Sequence, residues 1–297
     1  MRLLKKGAKI IGQGITGSEG SKVLPWMQEY GTQVVAGVTP GKGGQELLGV
    51  PIFNTMKEAI EAVGVVDGAV QFVPPQFVKG AAKEAIEAGI KFILIGAEKV
   101  PTQDTAYIYE LAKENDVVLI GPNSVGLICP DRQLRLGLIG GANVAKVFVP
   151  GNVAVISKSG SMTAEIGILL KNNGVGVSWA IGIGGDRIIG TDYVDFLLEL
   201  EGDQNTKASV IFGELGGTYE ERVAEYVKNG QIKKPVVAFI AGEFTMSLPN
   251  EVQFGHAGAI IEGQRGLPDY KRKVLKAAGV RVAESLDEIP DLVKGVI

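Results

Sequence analysis

Short apolar strands alternate with helical patterns along almost the whole chain, and glycine-rich turns separate them. The first unit is an apolar strand at residues 8–11, a glycine-rich turn at 12–20 and a helix pattern through Val23, Leu24, Met27 and Tyr30. Strands that alternate with helices predict a parallel, doubly wound sheet. The 42 glycines and the low aromatic content of 6% suit this α/β architecture, because its turns are tight.

The alternation occurs in two blocks, which predict two α/β domains. We expect the first domain at residues 1–130 and the second at 149–297, joined by a link at 131–148. Residues 137–151, which are rich in glycine and low in charge, indicate this link. The predicted strands lie at 8–11, 32–38, 68–73, 91–95 and 117–120, and then at 153–156, 175–181, 208–212, 235–240 and 281–283.

Composition excludes several classes of function. The net charge is −3, and the absence of a basic stripe argues against a nucleic-acid partner. Cys129 is the single cysteine and His256 the single histidine, so the chain cannot form an internal disulfide or a His/Cys metal cluster, and we expect no metal. No signal-peptide region and no bilayer-spanning apolar run are present, which favours a cytoplasmic protein without a membrane partner.

The first domain carries a candidate phosphate site. The turn at 12–20 places backbone N–H groups at a helix N-terminus, where they face an anion. The next strand lacks the terminal acidic residue that holds the ribose of NAD, and it leads instead into a glycine-flanked loop with Lys42. We therefore expect a phosphorylated adenine ligand other than NAD. A tight turn without a ligand, a solvated lysine and a nicotinamide dehydrogenase are the alternatives.

The second domain carries another candidate anion site. The strand at 153–156 is followed by serines and a glycine, and the helix pattern at 162–171 comes directly after them. Ser159, Gly160 and Ser161 leave the helix N–H groups accessible to a phosphate. Simple helix capping is the alternative reading.

His256 stands among glycines and alanines, an environment that suits a group reached from outside better than a core residue. Glu214 follows the strand at 208–212, and such a carboxylate could orient one imidazole nitrogen while the other acts as a nucleophile. Together with the serines at 159–161, these residues suit a phosphohistidine. A glycine-rich surface loop and a turn carboxylate are the alternatives. No Walker A sequence is present, so the phosphoryl donor would be bound by another chain.

The chain resembles the α subunits of the succinyl-CoA synthetases, the ADP-forming acid–CoA ligases. The resemblance covers almost the whole length and rests on the motifs at 13–20, 38–44, 184–186, 213–217 and 255–259. It implies a Rossmann-like CoA-binding domain followed by a flavodoxin-like ligase domain with phosphorylated His256, Glu214 in contact with it and the phosphate at 159–161. It also implies a larger ATP-grasp partner that binds ATP and Mg²⁺, in a heterotetramer. The CoA contacts implied are Thr16, Gly17, Ser18, Glu19, Lys42, Gly96, Ala97 and Glu98.

The positions at which the chain differs from the succinate enzymes bear on which acid is the substrate. Ser124-Val125 replaces Cys-Pro, Ala164 replaces a tyrosine, Arg187 replaces a proline, and residues 251–254 replace a run with a basic residue and methionine. Several of these features are similar to ATP-citrate lyase, whose lyase domain is missing here. We expect the small subunit of a citryl-CoA synthetase. Succinate, malate and a non-catalytic CoA-binding subunit are the alternatives.

Overall fold

A computed structural model of the protein describes residues 3–242 and 266–297. Their strands form two sheets of seven strands each, and helices cover both faces of each sheet. The prediction of two doubly wound α/β units is confirmed. None of the helices in these two ranges has the length and apolar character needed to cross a membrane.

The first sheet has the strand order β3-β4-β2-β1-β5-β6-β7, and all its neighbours are parallel except the short β3–β4 pair. Its strands are β1 Lys9–Gln13, β2 Gln33–Val38, β3 Glu46–Leu47, β4 Val50–Phe53, β5 Gly68–Gln71, β6 Phe92–Ile95 and β7 Val118–Ile120. Its helices are α1 Ser18–Tyr30, α2 Met56–Val63, α3 Val78–Glu87 and α4 Thr102–Glu114.

Alternation of side chains along β1 explains how both faces are covered. Ile10 packs into the apolar cluster that contains Val23 and Leu24 of α1, whereas Ile11 packs into the cluster of α2, α3 and α4. Successive strand residues point to opposite faces, so one fully buried strand serves two helix layers. The helix face predicted for α1 is buried as expected.

The second sheet has the order β14-β13-β12-β10-β11-β8-β9, in which β8 and β9 run antiparallel to their neighbours. Its strands are β8 Gly126–Cys129, β9 Leu134–Gly137, β10 Pro150–Ser157, β11 Val177–Gly182, β12 Ala208–Gly213, β13 Val236–Ile240 and β14 Arg281–Ala283. Its helices are α5 Gly160–Asn172, α6 Tyr193–Glu201, α7 Tyr219–Lys228, α8 Pro268–Ala277 and α9 Ile289–Lys294.

The hairpin of β8 and β9 belongs to the second sheet, so the chain leaves the first sheet before this hairpin. The chain passes from one sheet to the other between Ile120 and Gly126, upstream of the domain boundary predicted at residue 130. Residues 134–137 of the predicted link form β9. The two strands approach closely at Gly126, where a Cβ atom would lie 1.9 Å from the carbonyl oxygen of Leu136. We propose that the second domain begins near residue 121.

Candidate functional site

The turn between β1 and α1 leaves the start of the helix uncovered. Gly17 occupies the N-cap position, and no side chain caps the helix there. Gly14 has φ +74°, and a Cβ atom on it would lie 2.9 Å from Cγ1 of Val73. The first N–H groups of a helix have no acceptor within the helix, so α1 presents unpaired donors at its N-terminal end.

A second loop lies beside this turn and is held by a residue that sequence reasoning missed. Oδ1 of Asn54 accepts hydrogen bonds from the backbone N–H groups of Gly41 and Gly43, at 2.9 and 3.0 Å. The hydroxyl of Thr16 donates to that of Thr39 at 3.1 Å, which joins the two loops. Lys42 is half-buried between these anchors. Asn54 directly follows β4, so an amide at the carboxyl end of a strand was the available signal.

Two adjoining cavities contain all eight residues predicted to contact CoA. One cavity, of about 560 Å³, is lined by Thr16, Gly17 and Lys42. The other, of about 400 Å³, is lined by Gly17, Ser18, Glu19, Gly96, Ala97 and Glu98. Residues 72–74 line both cavities and form their common wall. The structure therefore gathers these residues at one edge of the first sheet, while CoA contact itself stays a prediction.

Ser159, Gly160 and Ser161 lie at the start of α5, as expected. Ser159 is the N-cap residue, and its hydroxyl accepts a hydrogen bond from the N–H of Met162 at 3.4 Å. The hydroxyls of Ser159 and Ser161 lie 3.2 Å apart. Ser157 fixes the turn, because its hydroxyl accepts from the N–H of Ser159 at 3.0 Å. Ser159 therefore caps the helix, as the alternative interpretation has it. The first N–H groups of the helix still have no partner within it.

Glu214 reaches the same edge of the second sheet. Strands β10 and β12 are parallel neighbours in which Ser157 pairs with Phe212, so the residues that follow each strand come together. Oε1 of Glu214 lies 3.4 Å from Nζ of Lys158, whose side chain is fully buried. The N–H of Glu214 donates to Oε1 of Glu220 at 3.2 Å. Lys158 directly precedes Ser159, the first of the predicted serines, and no role is predicted for it from sequence.

A buried ionic cluster supports the loop that carries Glu214. We call the three charged side chains Glu220, Glu221 and Lys271 the Lys271 cluster. Nζ of Lys271 donates to the carbonyl of Gly216 at 2.7 Å, pairs with the carboxylate of Glu220 and lies 3.5 Å from that of Glu221. The side chains of Lys271 and Glu220 are fully buried. The cluster therefore connects α8 to the start of α7 and to the loop of Glu214.

His256 lies outside the described residues, but the chain on both sides of its segment is described. The N–H of Gly216 donates to the carbonyl of Gly266 at 2.8 Å. On the other side, a Cβ atom on Gly242 would lie 2.9 Å from Cδ2 of Leu215. Gly242 and Gly266, the two described residues that flank positions 243–265, therefore lie against Leu215 and Gly216, which follow Glu214.

One loop connects the cavities of the first domain with the start of α5. Ser124 lines the smaller cavity, donates to the carbonyl of Gly182 at 2.5 Å and accepts from the N–H of Gly126. Val125 packs against α5 so closely that a Cβ atom on Gly160 would lie 2.8 Å from Cβ of Val125. The cavity predicted for CoA thus ends one residue away from the predicted phosphate helix.

No group of three or more His, Cys, Asp or Glu side chains that could hold a metal ion occurs within residues 3–242 and 266–297.

Comparison with known proteins identifies the two domains. The family model of the CoA binding domain matches residues 5–99, and that of the CoA-ligase matches residues 156–287. The fold is therefore a Rossmann-like CoA-binding domain followed by a ligase domain.

The most informative relatives extend over the whole chain. A succinate–CoA ligase [ADP-forming] subunit alpha 2 from Archaeoglobus fulgidus is 43% identical over 295 residues, which is 99% of both chains. An ADP-forming sulfoacetate-CoA ligase subunit from Acholeplasma is 40% identical over 95% of this chain and 93% of its own. The chain belongs to the family of succinate–CoA ligase alpha subunits, which are subunits of acid–thiol ligases.

A solved structure extends the comparison. The Methanosaeta concilii ATP citrate lyase in complex with (3S)-citryl-CoA superimposes with a TM-score of 0.92 at 26% identity. The match covers 99% of this chain and 50% of that one, so the chain spans about half the length of the lyase.

Proposed function

We propose that the chain is the CoA-binding, phosphoryl-carrying small subunit of an ADP-forming citrate–CoA ligase. The observation that carries this proposal is the continuity of the site. Ser124 lines the smaller of the two cavities formed by the predicted CoA residues, and the next residue, Val125, packs on the start of α5. A thiol bound in the first domain would therefore meet an acyl phosphate held at the second.

The proposed reaction passes through three substitutions. A nitrogen of His256 attacks the γ-phosphorus of ATP, the phosphorus–oxygen bond breaks, and ADP leaves. A carboxylate oxygen of the acid then attacks the phosphorus of phosphohistidine. The phosphorus–nitrogen bond breaks, the imidazole leaves, and the acyl phosphate is formed. Finally the thiolate of CoA attacks the acyl carbon and expels phosphate. Covalent catalysis of this kind divides one difficult exchange into easier steps.

The chain's own residues would act on the phosphoryl group in defined ways. The N–H groups at the start of α5 would hold its oxygens, because a helix N-terminus stabilises negative charge. Glu214 would accept a hydrogen bond from one imidazole nitrogen and leave the other as the nucleophile. The positions of Gly242 and Gly266 beside Leu215 and Gly216 support this pairing, since these two glycines flank the residues 243–265 that include His256.

The nucleotide belongs to a second chain in this proposal. We infer a larger ATP-grasp subunit that holds ATP and Mg²⁺, with two copies of each subunit in a heterotetramer. The relatives named as alpha subunits support the existence of such a partner.

Citrate is proposed as the acid because Ala164 stands where the succinate enzymes carry a tyrosine, which leaves room for a larger acid. Ala164 lies one helical turn after Ser161 and is only half-buried. A tyrosine at this position would project from the same face of α5. The 0.92 TM-score with the citrate enzyme supports this choice, whereas the curated relatives are named for succinate and for sulfoacetate.

Trapping of the acyl phosphate decides between the acids. The chain, purified with its partner subunit, is incubated with ATP, hydroxylamine and one acid at a time. We expect the hydroxamate of citrate to form at least ten times faster than those of succinate, malate and sulfoacetate. A hydroxamate from succinate without one from citrate would refute the citrate proposal and leave the ligase class intact.

Replacement of Lys42 by methionine tests the CoA site. We expect the KM for CoA to rise roughly tenfold with little change in kcat, since a hydrogen bond to a charged group contributes about 1.5–3 kcal/mol and Lys42 is only half-buried. The matched control is Lys57→Met, a lysine of α2 whose side chain is 84% exposed and lines neither cavity. Equal KM values for CoA in the two variants would contradict the role of Lys42.

A further inference from the structure

Lys158 is a buried charge next to the candidate site. Its ammonium lies 3.4 Å from Oε1 of Glu214 and 5.2 Å from the centre of the Tyr219 ring, and its side chain has no exposed surface. Within the described part of the chain, this nitrogen donates no hydrogen bond. An ammonium has three donors, and its burial is costly unless partners compensate the lost hydration.

The other buried lysine of this region provides a contrast. Lys271 contacts a carbonyl and two carboxylates, and its charge is thus compensated within the fold. Lys158 faces one carboxylate, the face of an aromatic ring and apolar strand residues. The phenol of Tyr193 is also near, but its hydroxyl donates to the carbonyl of Phe212, and burial raises its pKa well above the usual value. Glu214 is therefore the anion that Lys158 is placed to hold.

We propose that Lys158 is a positioning residue that acts through Glu214. Its ammonium holds the carboxylate of Glu214 in place as an anion, so that the carboxylate can orient the imidazole of His256 during phosphoryl transfer. This inference rests on the proposed function. A carboxylate has about four acceptor positions, so contact of Oε1 with Lys158 leaves capacity for an imidazole N–H. The backbone supports the arrangement, since Lys158 directly precedes the N-cap of α5.

The test measures phosphorylation of the chain in complex with its partner subunit. We expect Lys158→Met to slow the appearance of acid-labile label from γ-labelled ATP by about 100-fold, the usual loss when a reacting group is misplaced by an ångström. The KM for CoA should not change, because the first domain is untouched. Lys158→Arg should label faster than Lys158→Met, because the larger guanidinium still supplies a cation. A Lys158→Met variant that labels as fast as Lys158→Arg would overturn the proposal.

A double substitution separates action through Glu214 from an independent role. If Lys158 acts through the carboxylate, Lys158→Met should cause little further loss in a Glu214→Gln background. If the factors by which the two single substitutions slow labelling multiply in the double variant, the proposal would be overturned. If Lys158→Met does not assemble with the partner, Lys158→Gln takes its place with the same expectations.

The matched control is Lys234→Met in the same domain. Lys234 is half-buried and donates to the carbonyls of Leu200 and Asp203 at 2.5 and 2.6 Å. It precedes the amino end of β13, whereas Glu214 follows the carboxyl end of the parallel neighbour β12. We expect this variant to label at the unsubstituted rate. If the unsubstituted chain takes up no label, the proposed function fails. If it labels and Lys158→Met labels equally fast, only the role of Lys158 fails.

Discussion

Replacement of His256 by asparagine is expected to remove the acid-labile phosphoryl label from this chain and to lower kcat by at least roughly 10⁴-fold. Loss of the group that forms a covalent intermediate typically reduces kcat by such a factor or more. The sequence makes the outcome easy to interpret, because His256 is the only histidine among 297 residues. The measurement is incubation of the two-subunit complex with γ-labelled ATP, followed by separation of the subunits under alkaline conditions.

The chemistry of the label provides the control. Phosphohistidine is lost in acid and survives base, whereas phosphoserine survives acid and an acyl phosphate reacts with hydroxylamine. Lys276→Met, a surface change on α8 whose partner Glu284 is 55% exposed, should label like the unsubstituted chain. Acid-labile label on the small subunit of the His256→Asn variant would contradict the carrier role.

Replacement of Lys271 by methionine is expected to lower the free energy of unfolding of the second domain by roughly 3–5 kcal/mol. The change removes the cation that compensates Glu220, which is fully buried, and Glu221, and a buried charge without its partner is strongly destabilising. It also removes the donor to the carbonyl of Gly216, so the loop of Glu214 loses an anchor.

The measurement is urea unfolding of the assembled protein, followed by the fluorescence of Trp179 in a Trp26→Phe background. The chain has two tryptophans, and Trp179 lies buried in β11 of the second sheet, so it reports on that domain. The control is again Lys276→Met on the same helix, where an exposed pair contributes under about 1 kcal/mol. Equal shifts of the urea midpoint in the two variants would contradict the stabilising role of the Lys271 cluster.

The layered α/β architecture could be predicted from sequence because the spacing of apolar residues along the strands and helices matches the side chains that are buried. Strand β12 is buried at every residue and apolar except at Ser209, which is the pattern of a parallel strand covered on both faces. No helix was predicted at α2 or α6, which have eight and nine residues. Helix α6 does begin with a recognisable signal, a capping box in which Asp192 and Asp195 each accept from the backbone of the other.

The strands β8 and β9 could not be placed in the second sheet from sequence. Each has four residues, and β8 follows the first block closely along the chain. Their place is set by antiparallel pairing of β8 with β11, a contact more than 50 residues distant in sequence. Local pattern carries no information on such a partner.

The sequence by itself determined the chemistry of the site. Glycines at 12–20, Lys42, the serines at 159–161, Glu214 and a single histidine predict two anion-binding turns and a carrier, because backbone conformation and donor type are local properties. Only the tertiary structure decided which side chains support them. Asn54 reaches its loop from the next strand, and Lys158 meets Glu214 because β10 and β12 pair in one register. Contacts between strands depend on that register, which no single stretch of sequence contains.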